Sequence, residues 1–386
     1  MAERPFRVFV VAGEPSGDAL GARLMAALRA RFGDALSVEG VGGESMEAEG
    51  LRPIFPMSDI ALMGIAEVLP RLPTVLRRIR ETGDRVLAVR PDVVVTIDAP
   101  DFCLRVARRV RAAGVPVVHW VAPTVWAWRP GRARRMARSV DHLMCLFPFE
   151  PPYFEREGLP ATFVGHPVVG GGAGRGDGAR FRAAHGIAPD APLLAVLPGS
   201  RRGEVGRMLP LFGETLAGLA DARPGLVAAV PTVATVEEAV RAAAARWPVP
   251  AVVVRGEAAK HDAFAAADAA MACSGTVALE LALAGLPGVV AYRASPVTAA
   301  IVRRMIRVRF ANLVNIMHDR EVVPELLQER ATPANLADAV GRLLDDPDAR
   351  DAQRAGLSAV AGWLGRGGPP PAERAAGVVA AVAGRS

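Results

Sequence analysis

Four short stretches of the chain carry residue types that do group-transfer chemistry. "TIDAPDF", residues 96 to 102, ends an apolar run with Asp98 and places Asp101 three residues later. A carboxylate at the end of a strand is placed to take a proton from a hydroxyl nucleophile. Pro100 is set to begin a turn, so Asp101 suits a helix N-cap and Asp98 is the favoured base. "LLAVLPGSRRGEV", residues 193 to 205, sets Gly199, Ser200 and Arg201 between a buried strand and a helix. Backbone N–H groups and a guanidinium at that place suit a diphosphate, the alternative being an ordinary turn with a solvated arginine pair. "ACSGTVALELALAGLPGVV", residues 272 to 290, opens a helix on Ser274, Gly275 and Thr276 and brings Glu280 one turn later. The helix start suits a phosphate and the carboxylate suits the two hydroxyls of a ribose. Equally, Ser274 or Thr276 serves as an N-cap and Glu280 stands in solvent. The fourth stretch, "AGEPSGD", residues 12 to 18, has the strand–glycine–helix form of a phosphate cradle, yet it bears Glu14 and Asp18 and lacks the Lys-Ser/Thr ending of a P-loop. Two carboxylates repel a phosphate, so this loop is expected to hold something else.

These stretches need elements to hold them. Apolar strand-like runs near 6–12, 93–98, 116–121 and 142–146 alternate with amphipathic helical stretches, and the rhythm repeats near 193–197, 226–230, 251–254, 269–273 and 288–291. That alternation predicts parallel α/β layers. A length of 386 residues exceeds what one core usually supports, so the expectation is two doubly wound domains with a cleft between them. Residues 165–181, "GHPVVGGGAGRGDGARF", read as a linker or loose loop. A Pro-Gly break after residue 365 leads into a final apolar helix placed to pack back on the first domain. In open α/β sheets ligands bind beyond the carboxyl ends of the strands, where Asp98 and both donor-type loops fall.

Composition narrows the classes. Apolar residues make up 51% of the chain, but no run reaches the eighteen or so of a membrane span, and the N-terminus enters a strand with too short an apolar run for a signal peptide. A cytoplasmic location is expected. Cys103, Cys145 and Cys273 and the six His are scattered, so neither a disulfide framework nor a metal site is expected. The net charge of +6 rests almost wholly on Arg, with Lys260 the only lysine, which reads as a compositional bias without a nucleic-acid motif. It favours anionic partners such as phospholipid surfaces or sugar phosphates. Residues 119–141 combine Trp120, Trp126 and Trp128 with Arg129, Arg132, Arg134, Arg135 and Arg138, which reads either as a sugar or acyl pocket beside an anion site, or as core tryptophans under a solvated helix. Residues 59–81 carry Val68, Leu69, Leu72, Val75 and Leu76 with Arg71, Arg77, Arg78 and Arg80 at the edge. A membrane-interface segment and a core helix broken by Pro70 and Pro73 both fit that pattern.

Taken together, "AGEPSGD", "MGIAEVLPRLP", "IDAPDFCLRVAR", "VAPTVWAWRPGRARRM", "CLFPFEPPYFE", "FVGHPVV", "LPGSRRGEV" and "CSGTVALELALAGLP" resemble the lipid-A-disaccharide synthase family over nearly the whole chain. One departure is Ala311, where that family usually has a proline before the asparagine matched by Asn312. The resemblance implies a GT-B fold and an inverting transfer of 2,3-diacylglucosamine from its UDP derivative to the 6-hydroxyl of 2,3-diacylglucosamine 1-phosphate, without cofactor or metal. It implies Asp98 and Arg201 as catalytic residues. Gly199, Ser200, Ser274, Gly275, Thr276 and Glu280 would hold the UDP-sugar, with Asn312, Glu325 and Gln328 as further contributors. Glu14, Ser16, Gly17, Asp18, Trp126 and Arg129 fall on the acceptor side, Asp18 and Asp101 standing as possible helpers of Asp98 and Asp18 also as a helix cap. The implied division is an acceptor and membrane-facing domain over 1–168, a donor domain over 169–366 and a C-terminal helix over 367–386, on the cytoplasmic face of the inner membrane. Rival readings are another GT-B enzyme, such as a UDP-GlcNAc epimerase or the muramyl-lipid glycosyltransferase, and a catalytically silent sugar-nucleotide or lipid-binding protein.

Overall fold

The computed structural model describes residues 4–61, 65–295 and 308–385, with side chains given outside 65–70. Two compact units emerge, one of Met1–Pro167 with Gly367–Ser386 and one of Val168–Arg366. Each is built on a six-stranded parallel sheet with helices on both faces, the doubly wound α/β form that the alternation predicts.

In the first unit the strands are β1 (Phe6–Ala12), β2 (Leu36–Val41), β3 (Val93–Ile97), β4 (Val117–Trp120), β5 (His142–Cys145) and β6 (Ala161–Phe163), in the order β2-β1-β3-β4-β5-β6. The second has β7 (Leu193–Leu197), β8 (Val227–Thr232), β9 (Ala251–Arg255), β10 (Ala269–Cys273), β11 (Gly288–Tyr292) and β12 (Glu325–Leu327), in the order β12-β11-β10-β7-β8-β9. Strands covered on both faces read as continuous apolar runs, and all five residues of β3 are buried. Period-two geometry sends β1 side chains to two cores. Phe9 and Val11 meet Phe102, Val106 and Val110 of the helix Pro100–Ala112. Phe6, Val8 and Val10 meet Leu24 and Leu28, together with Ala375, Ala376 and Val379 of the last helix, Pro371–Val382. Arg374 of that helix donates to the Phe163 carbonyl at 2.7 Å, so the chain's end is tied to the first sheet.

The helices that matter for the site are α1 (Pro15–Phe32), α2 (Glu44–Ala48), α3 (Ile65–Val89), α4 (Pro100–Ala112) and α5 (Gly131–Ala137). The structure corrects two expectations. Helix α3 runs unbroken through Pro70 and Pro73. Residues 165–181 are not loose: Ala173 is buried against Leu283 and Ala361, and a Cβ at Gly176 would lie 1.9 Å from the His261 carbonyl oxygen. Glycine is dense here because the backbone lies directly on the helix Glu257–Ala266.

Candidate active site

In a doubly wound sheet the crevice opens where successive strands step to opposite sides. The first sheet reverses between β1 and β3, since β2 lies outside β1. The second reverses between β7 and β10, with β8 and β9 on one side and β11 and β12 on the other. Ala12 is level with Ile97 and Leu197 with Ala272, so the loops after each pair leave their sheets side by side. All four stretches singled out by residue type are those loops.

At the first reversal the two loops touch. A Cβ at Gly13 would lie 2.6 Å from the Ala99 Cβ, so only glycine lets the loop after β1 lie against the turn that carries Asp98. Asp98 and Ala99 both take left-handed backbone, at φ 51 and 41. Val121 (φ 84) and Arg129 (φ 51) do so just beyond β4. Such conformations cost on the order of 1–3 kcal/mol each for residues other than glycine and gather where function requires them. Asp98 is half-buried; its Oδ1 accepts from the Ala99 N–H at 2.9 Å, and among the described residues its Oδ2 accepts nothing. Glu14 stands close enough that burial and then the Asp98 charge raise its pKa. Ser16 is exposed beside it in the first turn of α1, and Gly17 packs against the Ile97 carbonyl.

Asp18 is placed differently. It is buried, and its carboxylate accepts from the N–H groups of Gly43 (2.7 Å), Ser45 (2.9 Å) and Met46 (3.1 Å), capping α2 rather than its own helix. Asp101 is exposed in the first turn of α4, whose N-cap is Ala99, so the expected N-cap role does not hold. Trp126 is buried and donates to Glu150 at 3.2 Å, while Arg129 and Arg132 stack on the Trp128 ring at 4.6 and 4.9 Å.

At the second reversal a cavity of about 630 Å³ gathers Gly199, Ser200, Arg201, Ser274, Gly275, Thr276 and Glu280. Arg201 is 78% exposed and donates to Glu204 at 2.9 Å. An exposed pair of this kind is worth roughly 0–1 kcal/mol, so Arg201 can exchange Glu204 for a phosphate at little cost. Thr276 is the N-cap of the helix Val277–Ala284 without a side-chain capping bond, which leaves its hydroxyl uncommitted to the helix.

One residue of this cavity escaped the sequence reading. Lys260 lies 2.8 Å from Glu280 and 2.9 Å from Glu257. Burial lowers its pKa, but the contacts with Glu280 and Glu257 outweigh that and raise it overall. The available signal was its solitude in a chain that otherwise uses arginine.

Asn312, Glu325 and Gln328 do not line the cavity. Glu325 is buried and accepts from the Ala311 and Asn312 N–H groups and from the Asn315 side chain, at 2.8–2.9 Å. Asn312 caps the helix Leu313–His318 by accepting from Val314, and its own Nδ2 is buried without a partner. Gln328 accepts from the Ala294 N–H at 3.3 Å. Among the described residues no group of three or more His, Cys, Asp or Glu is arranged to hold a metal.

A family model described as lipid-A-disaccharide synthetase matches residues 8–361. The lipid-A-disaccharide synthase of Rhodospirillum centenum is 60% identical over 378 residues, covering 97% of this chain and 94% of that protein. That of Paramagnetospirillum magneticum is 52% identical over 376 residues, covering 96% of each. The chain belongs to the lipid-A-disaccharide synthase family. It is accordingly a glycosyltransferase, which sets aside the epimerase, the muramyl-lipid enzyme and the silent binding protein as readings. Solved structures extend the likeness in fold alone. UDP-GlcNAc 2-epimerase from Neisseria meningitidis bound to UDP-GlcNAc superposes with a TM-score of 0.62 at 11% identity, over 98% of this chain and 100% of that one. MurG of Acinetobacter baumannii gives 0.60 at 15% identity, over 97% and 99%. The calicheamicin glycosyltransferase gives 0.60 at 19%, over 99% of each. The protein thus has the GT-B architecture, two doubly wound units in one chain.

Proposed function

We propose that the protein transfers 2,3-diacylglucosamine from UDP-2,3-diacylglucosamine to the 6-hydroxyl of 2,3-diacylglucosamine 1-phosphate, with the first unit binding the acceptor and the second the donor. The acceptor oxygen attacks the anomeric carbon while the bond from that carbon to the UDP oxygen breaks. Asp98 takes the hydroxyl proton, and UDP leaves with the electron pair. One in-line displacement turns an α-linked donor into a β-1,6 product, so a single base suffices.

The reading rests chiefly on one observation: the base and the phosphate-type loops occupy the two switch points of the two sheets. Charge developing on UDP would be met by Arg201 and the backbone N–H groups at residues 274–276. Glu280, held by Lys260, would accept the ribose hydroxyls. Glu14 and Ser16 would bind acceptor hydroxyls, with Glu14 also sensing the charge of Asp98. Trp126 would support the acceptor loop from below and Arg129 would border it. Asn312, Glu325 and Gln328 would act by shaping the loop behind the donor. The work is placed at the inner-membrane surface, on its cytoplasmic face, because both substrates carry acyl chains.

The test is direct. Purified protein given both acylated glucosamines should release UDP and disaccharide 1-phosphate in equal amounts, at an initial rate that survives excess EDTA. Hydrolysis of the donor without disaccharide would refute the transfer, and a rate restored only by magnesium would refute charge neutralisation by the chain's own groups.

A further inference from the structure

Helices α4 and α5 each turn two arginines toward one hollow of about 490 Å³. It is bordered by Arg105 and Arg108 from α4 and Arg132 and Arg135 from α5, with Asp101 and Leu104 at its edge. The spacing is one helical turn on each helix, so each pair shares a face. Among the described residues none of these four has a carboxylate partner. Their neighbours on the same two helices do: Arg109 pairs with Asp84, Arg111 with Asp141 and Arg134 with Glu157. The helices therefore neutralise the guanidiniums that point elsewhere and leave four facing one pocket against the single charge of Asp101. Arg132 is further held by stacking on Trp128. Arginine forks match phosphate oxygens two at a time, and a concave group of them concentrates that preference.

The pocket's position identifies its use. Its rim begins at Pro100 and Asp101, two and three residues after Asp98 in the chain. A hexose 1-phosphate carries its phosphate on C1 and its 6-hydroxyl through C5, the two carbons that flank the ring oxygen, so an anchored phosphate holds the 6-hydroxyl at a short, fixed distance. We infer that Arg105, Arg108, Arg132 and Arg135 form a phosphomonoester site that anchors the acceptor by its 1-phosphate and so presents the 6-hydroxyl to Asp98. This rests on the proposed reading that the first unit binds the acceptor. Arg108 also borders two adjoining hollows lined by Arg111, Arg134 and Arg138, so the anchor lies within a wider cationic face.

Arg105 and Arg135 are exposed, so the double variant Arg105→Ala/Arg135→Ala should melt with the parent protein. In detergent micelles it should raise the acceptor KM by about tenfold or more and leave the donor KM unchanged. Calorimetric titration with glucosamine 1-phosphate should lose its signal in the variant, while glucosamine gives none in either protein. Flotation on phosphatidylglycerol vesicles should persist. An unchanged acceptor KM overturns the inference, and if flotation is lost at the same time the arginines serve lipid phosphodiesters instead. Should the parent protein make no disaccharide, the transferase reading fails, and the glucosamine 1-phosphate titration still decides the phosphate site.

Discussion

Asp98 and Asp18 are both carboxylates beside the same crevice, and their hydrogen bonds divide their roles. Among the described residues Asp98 keeps one oxygen free in a strained turn; Asp18 commits both to three N–H groups, those of Gly43 and Met46 buried. Asp98→Asn should therefore cut turnover by about 10²–10⁴-fold with melting temperature and UDP affinity unchanged; an equal loss of UDP affinity would place Asp98 in the donor site. Asp18→Ala should lower stability by about 3 kcal/mol, because it orphans buried donors at the start of α2. Denaturant melts decide it, and a fully stable but inactive variant would return Asp18 to the acceptor chemistry. Lys260 offers a cleaner probe, since an amine reagent can modify only it and the N-terminus. UDP should slow its labelling and Lys260→Ala should weaken UDP binding, whereas labelling indifferent to UDP would separate Lys260 from the donor. Residue types and spacing put Asp98, Arg201 and Glu280 beyond the strand ends, where the fold places them. The partners of Asp18 lie 25–28 residues away in the chain and those of Glu325 10–14, and only the fold brings them together.

At the scale of elements, the strands recognised in the sequence are those with continuous apolar runs, and those missed are β2, β6 and β12. All three are sheet edges, and two are only three residues long. An edge strand is half solvated and carries a weaker apolar pattern, as Glu39 within β2 illustrates. The glycine-rich segment misled for a related reason: composition does not distinguish a glycine needed for freedom from one needed for close approach. The loop after β4 shows a further tie that the sequence did not reveal. Glu150 is buried and accepts from Trp126 and from the Leu146 and Phe147 N–H groups, binding the 123–130 segment to the turn after β5. Burial pushes its pKa up to about 7, against those three bonds. The folded state thus holds the proton more tightly than the unfolded state, whose carboxyl titrates near 4.5. That contribution is complete below pH 4.5 and lost as pH rises through 7. Relative to Glu150→Gln, which cannot titrate, the parent protein should lose about 3 kcal/mol between pH 4.5 and 8. Parallel melts across that range would show the gap change; a constant gap would mean that Glu150 is charged in the folded protein throughout.

For the whole molecule, the question is how a chain with no described helix long and apolar enough to cross a membrane would reach acylated substrates held in one, as the proposed function requires. Helix α3 is the surface we propose for that contact. Leu72 and Leu76, one turn apart, are 39% and 37% exposed, with Arg71, Arg77 and Arg80 exposed around them. Val75 is half-buried and packs with Ile79 and Val86 on the core, while Arg78 turns inward to Asp59 and Glu81. Val68 and Leu69, expected on the same surface, lie outside the described side chains. The helix thus separates a core stripe from an exposed apolar pair inside a basic rim, the pattern of a segment that lies in a membrane interface. Burying two leucines in the acyl boundary is worth about 3–6 kcal/mol, and each arginine near an anionic surface adds about 1 kcal/mol. Leu72→Ser/Leu76→Ser should therefore abolish flotation on phosphatidylglycerol vesicles while the melting temperature holds, and high salt should weaken flotation of the parent protein. Val75→Ser should do the reverse, lowering the melt with flotation largely kept. If the leucine pair instead lowers the melt and leaves flotation intact, α3 is a core helix and the membrane is met elsewhere on the molecule.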